Sequence, residues 1–582
     1  MGRMTPETPT QRLDRLVHAA GAQMLTRSLS PVSLSLAWAD WAWHLMQSPG
    51  RQMELAALAT RLGLDSVRVA AGGTPGDEHL GAADDDPRFR HDAWTQWPFG
   101  ALRHAFRNQE AFWHEAASTP GMKAQHAAET QFFARQWLGM LTPANWLPTN
   151  PVVLADAVES GGTHLVQGAM NWLRDITGQP DLQALAQDSR FVVGRDVAVT
   201  PGKVVYRNRL VELIRYAPQT KTVCPEPVFI VPSWIMKYYV LDLSPHSSLV
   251  RYLVGEGHTV YMVSWLNPDA RDQDLSMNDY LGLGVFDALR AISHFHGADQ
   301  AVHATGYCLG GTLMAIAAAA LGRHGGSAST KGLPPLRSLT LIAAQTDFSE
   351  PGELGLFIDE SQVRLLDEIM RGQGYLTGKQ MAGTFQFLHS RELVWTRRMR
   401  EYLLGEREER SDLSAWNADT TRMPALMHHQ YLTGLYLHNA LAGGRWRVDG
   451  HAVSLADIRV PVFLIGTEND HVSPWHSVYQ LHRLCDAEVT FVLVAGGHNA
   501  GIISEPGHPR RHYRIALRRA RGPWLHAERW QQQAELRDGS WWPAWQTWLA
   551  ARSGTPVRAK PIPADVAIAD APGTFVLKRY AD

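Results

Sequence analysis

Val302-His303-Ala304-Thr305-Gly306-Tyr307-Cys308-Leu309-Gly310-Gly311-Thr312 decides how the rest of this chain reads. The stretch begins as a short apolar segment, passes through Gly306-Tyr307-Cys308-Leu309-Gly310, and enters a run of small helix formers from Leu313 to Ala320. Strand, sharp turn and helix are what a nucleophile elbow requires, with glycines on either side where neighbouring elements approach closely. The usual elbow carries Ser; here the central residue is Cys308. An elbow puts Cys308 at a helix N-terminus, whose dipole favours thiolate, and aims the Leu309 N–H at a developing oxyanion. Alone, G-x-C-x-G is a weak signal in a chain with 49 glycines, and a free Cys is more often inert core than nucleophile. Its meaning depends on partners downstream.

Two segments supply them. Ile465-Gly466-Thr467-Glu468-Asn469-Asp470-His471 follows an apolar strand, which puts Asp470 at a strand's C-terminal edge, where α/β sites gather. Gly496-Gly497-His498-Asn499-Ala500-Gly501 directly follows the strand ending at Val494. The chain order Cys308, Asp470, His498 is that of the α/β-hydrolase triad. Each residue has a plainer reading: Asp470 as a turn residue, His498 as a tight-loop residue, with the adjacent His471 competing for the role of base. Jointly those readings need three coincidences. Cys224 and Cys485 lack the glycine context and are assigned to structure.

The remaining pattern agrees. Val228 to Val231, Thr259 to Trp265, Leu339 to Ala343, Val462 to Ile465 and Val489 to Val494 read as strands between helices, giving a mostly parallel sheet covered on both faces. Lys203 to Tyr206 and Leu210 to Tyr216 read as an antiparallel meander before it. The expected fold is thus α/β: an α/β-hydrolase core over 191–582, with a helical lid insertion at about 347–457. A mostly helical N-terminal domain over 81–190 precedes the core. Residues 1–80 form a variable, partly helical extension, in which Leu34, Trp38, Trp41 and Leu45 recur at helical spacing. That helix reads as packed on the next domain, the alternative being a face for an apolar surface. The tail is aromatic-dense at Trp541, Trp542, Trp545 and Trp548, and after Gly554 reads as Pro/Ala-rich and loosely ordered.

Composition narrows the function. With 55 Lys+Arg against 57 Asp+Glu, nothing argues for nucleic acid or an acidic membrane surface. Three cysteines fit a reducing compartment and leave a thiol free for chemistry. The run from Leu29 to Met46 is broken by Pro31, Asp40 and His44 and is too short and polar to span a bilayer. No signal peptide is visible. No C-x-x-C cluster occurs, and despite 26 His no metal is expected.

Several segments resemble the polyhydroxyalkanoate synthases, especially the single-component class I type. Gly306-Tyr307-Cys308-Leu309-Gly310-Gly311-Thr312 is similar to that family's lipase-like box with Cys for Ser. Val231-Pro232-Ser233-Trp234-Ile235-Met236-Lys237-Tyr238-Tyr239 resembles its V-P-P-W-I-N-K-Y-Y segment, and Val263-Ser264-Trp265-Leu266-Asn267-Pro268-Asp269 its V-S-W-x-N-P-D. Trp416-Asn417-Ala418-Asp419-Thr420-Thr421 and Gly539-Ser540-Trp541-Trp542-Pro543 match two more motifs. The likeness runs from about Asp86 to the end, and the first eighty residues match nothing in it.

The resemblance implies polymerisation of 3-hydroxyacyl-CoA thioesters into polyester with release of CoA, a homodimer, and residence in the cytoplasm at the granule surface, among granule-associated proteins. It implies Cys308 as the acylated nucleophile, His498 as general base and Asp470 as third member, which either orients His498 or helps deprotonate the monomer's 3-hydroxyl. Leu309, Trp234, Ile235, His471, His389 and Arg391 are candidates for oxyanion and substrate binding. No resident cofactor is implied, CoA arriving as part of the substrate. Two departures stand out: Ser233 replaces the family's second Pro, near the expected second oxyanion donor, and His389 replaces the Arg that opens its R-P-N-D-L-V-W segment. The alternatives are a Cys-dependent thioesterase or intracellular polyester depolymerase, and a weakly active or non-catalytic granule-associated homologue whose Trp-rich ends bind polyester or a partner.

Overall fold

The runs Val228–Val231, Val260–Trp265, Val302–Tyr307, Val462–Thr467 and Val489–Val494 are strands buried along their whole length. Unbroken burial is why their sequences run apolar instead of alternating: helices cover both faces of a parallel sheet. The computed structural model of the chain describes residues 30–76, 86–177, 190–323, 329–378, 380–381, 391–407 and 409–579. The chain forms two compact units, one of residues 1–186 with 380–409, the other of 187–379 with 410–582.

The first unit is helical: α1 (Pro31–Met46), α2 (Pro49–Ala70), α3 (Phe99–Ala116), α4 (Ala124–Leu141), α5 (Pro151–Glu159) and α6 (Thr163–Thr177). Proline at the first helical position starts α1, α2 and α5, where its missing N–H costs nothing. The Asn150 side chain caps α5 by accepting from Val152 and Val153 N–H. Phe89, Trp94, Phe106, Leu138 and Ala144 form a buried cluster, with Phe89 and Trp94 edge to face at 4.9 Å. The Trp-rich helix α1 packs inward through Ala37 and Trp41, whose indole N–H donates to Ala116 C=O at 2.8 Å. The boundary expected at residue 80 therefore does not separate compact units.

Nor does the expected lid at 347–457 stay whole. Residues 380–409 belong to the first unit. There Asn171 Nδ2 donates to Glu401 C=O at 3.0 Å, and Gly168 lies so close to Tyr402 that a Cβ would sit 2.0 Å from its carbonyl oxygen. Helix packing drew these residues away, a long-range contact that local pattern does not encode.

The second unit holds an 11-stranded sheet. In chain order its strands are β1 (Gly202–Arg207), β2 (Val211–Tyr216), β3 (Val228–Val231), β4 (Val260–Trp265), β5 (Val302–Tyr307), β6 (Leu336–Ile342), β7 (Val462–Thr467), β8 (Val489–Val494), β9 (His512–Arg518), β10 (Glu535–Asp538) and β11 (Ala569–Asp570). Their order across the sheet is β10-β9-β8-β7-β6-β5-β3-β4-β2-β1-β11. The strands from β4 through β8 pair in parallel, and the flanking strands pair antiparallel. An antiparallel meander feeding a parallel sheet whose β3 and β4 exchange places is the α/β-hydrolase order.

The tail corrects the expectation of loose order. Val557-Arg558 pairs with Thr222-Val223, and β11 pairs with β1. Glu212, fully buried on β2, accepts from Thr574 and Phe575 N–H at 2.9 Å each. A buried carboxylate must find donors, and these come from the far end of the chain. The tryptophans before it are core. Helix α8 (Trp542–Ala550) buries Trp542 and Trp545 almost completely, leaving no aromatic surface there for polyester.

Candidate active site

β5 delivers the chain at the centre of the sheet, and α7 (Leu309–Gly322) leaves it again, with Cys308 between them at φ 54°, ψ −127°. A β-carbon at such a conformation costs on the order of 1–3 kcal/mol, and the surroundings enforce it. Cys308 N–H donates to Ile342 C=O on β6 at 2.8 Å, and its own C=O receives Gly311 N–H at 2.8 Å. Glycine is required nearby for space: a Cβ on Gly306 would lie 2.4 Å from Gly311 Cα, and one on Gly310 2.2 Å from Val231 O. The second approach presses the loop after β3, Pro232 to Ile235, against the first turn of α7. Leu309 lies in that first turn, where backbone N–H groups lack helical acceptors. Such free N–H groups are the kind of donor that can hold an oxyanion.

His498 sits in the loop after β8, its side chain 12% exposed, and its Nδ1 is 2.8 Å from Asp470 Oδ2. The Cys308 sulfur lies beside the same imidazole. The Asp470 side chain is wholly inaccessible. Thr467 Oγ1 donates to Oδ2 at 2.7 Å, and the N–H groups of Val472 and Ser473 donate to Oδ1 at 2.9 and 2.7 Å. Burial alone would push the His498 imidazole down, but the Asp470 carboxylate and the Cys308 sulfur hold it well above its ordinary range. Burial likewise opposes ionised Asp470, and His498 with the local donors outweighs it, keeping the carboxylate below its usual value.

Behind the base, the indole N–H groups of Trp541 and Trp542 donate to Gly501 and Ile502 C=O at 3.3 and 3.0 Å, and Arg511 Nη2 donates to Ala500 C=O at 2.7 Å. The Gly-Ser-Trp-Trp-Pro segment therefore pins the loop that carries His498. Trp234 is buried, with its ring 6.5 Å from that of Tyr431 and its C=O taken by Thr421 Oγ1. Ile235 is half-buried and its C=O accepts from Thr421 N–H. Tyr431 donates to Tyr436 O–H at 3.1 Å. Burial chiefly, and the nearby Cys308 sulfur in part, raise both phenols, Tyr436 to about 12.

Cys308, Leu309, Trp234, Asp470 and His498 thus come together. His471 is exposed, next to an Asp470 that bonds His498. Arg391 opens the π-helical stretch Arg391–Thr396 of the first unit; its side chain, and the whole of His389, lie outside what the structure describes. Sequence reasoning missed Tyr431, Tyr436, Thr467 and Asn499. Thr467 and Asn499 stood inside the quoted motifs, whereas nothing in the sequence distinguished Tyr431 and Tyr436 from other lid aromatics.

Three families match the chain: "Poly-beta-hydroxybutyrate polymerase N terminal" over residues 8–51, "Poly-beta-hydroxybutyrate polymerase (PhaC) N-terminus" over 85–253, and the alpha/beta hydrolase fold over 226–504. The first match overturns the view that residues 1–80 resemble nothing. The chain is 37% identical to a poly(3-hydroxyalkanoate) polymerase of Methylorubrum extorquens, over 84% of this chain and 80% of that one. It is 36% identical to the poly(3-hydroxyalkanoate) polymerase subunit PhaC of Cupriavidus necator, over 84% and 83% respectively. Among solved structures, a monoacylglycerol lipase of Paleococcus ferrophilus is similar at TM-score 0.34 and 14% identity, covering 59% of this chain and all of the lipase.

Proposed function

The chain belongs to the poly(3-hydroxyalkanoate) polymerase family and is an acyltransferase of polyhydroxyalkanoate synthesis; from that premise we propose that Cys308 carries the growing polyester as a thioester. The observation that supports this most is the placing of Cys308, His498 and Asp470 in line at the end of three parallel strands, with His498 Nδ1 2.8 Å from Asp470 Oδ2.

In the proposed cycle His498 takes the thiol proton, and the sulfur attacks the thioester carbonyl of a 3-hydroxyacyl-CoA. The oxyanion is held by the Leu309 N–H and by the loop after β3. Collapse breaks the carbon–sulfur bond to CoA, which leaves with the proton from His498. His498 then deprotonates the 3-hydroxyl of the next monomer, which attacks the acyl-Cys308 thioester and extends the chain by one unit. Cys308 recovers the extended chain from its CoA thioester, releasing CoA. Thioester exchanged for thioester is nearly balanced in energy, so the acyl group stays activated for ester formation; a Ser ester would discard that activation.

Asp470 orients His498 and takes no substrate proton. An ionised carboxylate has about four lone-pair sites, and Thr467, Val472, Ser473 and His498 occupy them. Water is excluded by burial: Cys308 is 7% exposed, with Tyr431 and Tyr436 close to its sulfur. The chemistry calls for no metal or resident cofactor.

The finer setting belongs to the same proposal: a homodimer in the cytoplasm, at the surface of polyester granules and among their associated proteins. Trp43, Trp97, Trp137, Trp146 and Trp172 of the helical unit, each at least half exposed, support an apolar contact. No described helix is long and apolar enough to cross a membrane.

The test is CoA release from 3-hydroxybutyryl-CoA, scoring the product as polymer or free acid. The wild type gives polymer, and Cys308→Ala releases no CoA. Free acid as sole product would make the chain a hydrolase, and an active Cys308→Ala would refute the nucleophile.

A further inference from the structure

Tyr307 immediately precedes the nucleophile, and Asn499 immediately follows the base. The two are bonded to each other. Tyr307, 2% exposed at the end of β5, donates its phenol O–H to Asn499 Oδ1 at 2.5 Å, with a longer approach to His498 C=O at 3.5 Å. Its ring lies against the His498 imidazole, centroids 5.6 Å apart and planes 31° from parallel. Asn499 has its backbone C=O engaged by Ile502 and Ile503 N–H at 3.0 Å each. Its side-chain oxygen thus reaches Tyr307 from a loop already shaped by its own backbone.

We propose that Tyr307 and Asn499 are positioning residues that clamp the nucleophile strand to the base loop and hold the His498 imidazole in register with the Cys308 sulfur. The proposal rests on Cys308 and His498 as nucleophile and base. Without the clamp the two sit on separate elements, β5 and the loop after β8, which are not neighbours in the sheet. Asp470 fixes the far nitrogen of His498 and so sets the ring's tilt; Tyr307 sets its height above the thiol. The phenol stays a neutral donor throughout, since burial and the adjacent Cys308 and Asp470 hold it well above the ordinary tyrosine value. The ionisable groups facing His498 are the Asp470 carboxyl and the Cys308 thiol, with the Tyr307 phenol beside them. When His498 carries the proton, the aromatic face beside it is favourably placed for a cation. Polymerisation needs the proton returned in every cycle, so a base that drifts by a fraction of an ångström loses rate at each addition.

The experiment compares Tyr307→Phe, Asn499→Leu, Asn499→Asp and the double variant Tyr307→Phe/Asn499→Leu in the full chain. Three quantities are read: kcat and KM for CoA release, and the rate of Cys308 alkylation by iodoacetamide at one fixed pH. Tyr307→Phe and Asn499→Leu are each expected to lower kcat and slow alkylation about tenfold, with KM unchanged, as misplacement of a catalytic group does. Asn499→Asp, which keeps an acceptor for the phenol, recovers most of the loss. The double variant is no slower than the slower single one, the signature of a shared interaction. Wild-type kcat and alkylation in both single variants overturn the clamp, as does a double variant in which the losses multiply. Should Tyr307→Phe fail to fold, the half-buried Asn499 variants decide alone. A Cys308→Ala chain that still releases CoA removes the nucleophile and the clamp together. An inactive Cys308→Ala beside a fully active Tyr307→Phe overturns the clamp only.

Discussion

Asp470 distinguishes two accounts of chain extension at the scale of one residue. If it activated the incoming hydroxyl, Asp470→Asn would stall extension after acylation, and acyl-Cys308 would accumulate. Its lone pairs are filled by Thr467, Val472, Ser473 and His498, so in the proposed cycle it acts through His498 alone. Asp470→Asn is therefore expected to slow acylation and extension alike, on the order of 10³-fold, by holding the imidazole in the wrong tautomer. Rapid-quench mass spectrometry of Cys308 would show no build-up of acyl-enzyme; a stoichiometric build-up would return the hydroxyl step to Asp470.

At the scale of elements, the site depends on the closeness of α7 to the β3 loop. Gly310 sits where a Cβ would meet the carbonyl oxygens of Val231 and Pro232 at 2.2 and 2.4 Å, both backbone atoms. Gly310→Ala must therefore displace the loop that carries Trp234 and complements Leu309 at the oxyanion. The expected result is a loss in kcat of about 100-fold, with the folded circular-dichroism spectrum retained. Near-normal kcat would mean that the loop contributes nothing to the oxyanion. The Trp541-Trp542 pair shows the same dependence from another side. Its indoles hold the carbonyls of the His498 loop, so an aromatic segment that invites reading as a surface is buried support for that loop.

For the whole molecule, pH-dependent stability carries a mark from Asp242. It is fully buried, takes hydrogen bonds from Thr200 and Ser248 hydroxyls at 2.5 and 2.7 Å, and burial pushes its carboxyl up to about 6. A folded value above the unfolded one means that the native state binds the proton more tightly. Stability from this group therefore falls as pH rises from about 4 to about 6. Asp242→Asn removes that loss: its advantage over the wild type should grow by up to about 3 kcal/mol between those limits. Urea unfolding of both chains at the two ends of the range measures it, and a constant difference would contradict the shifted carboxyl.

Much of this was legible before any coordinates. Cys308, Asp470 and His498 could be picked out because each follows an apolar run and the motifs around them are local; the central strands could be read because burial on both faces leaves an unbroken apolar signature. β9, β10 and β11 escaped notice because strands at or next to the sheet's edges, with exposed or half-buried charged positions, lack that signature. The Pro-rich tail reads as loose until Glu212 is seen to need donors. The sequence by itself determined the fold class and the family, and it singled out Cys308 as the proposed nucleophile, since these rest on short-range pattern and residue chemistry. Tertiary structure alone decided that 380–409 joins the N-terminal helices, that Tyr431 and Tyr436 stand by the thiol, and that Tyr307 reaches Asn499. Those are contacts across roughly a hundred residues or more of chain, made by packing and by buried polar groups seeking partners, and neither leaves a periodic trace in sequence.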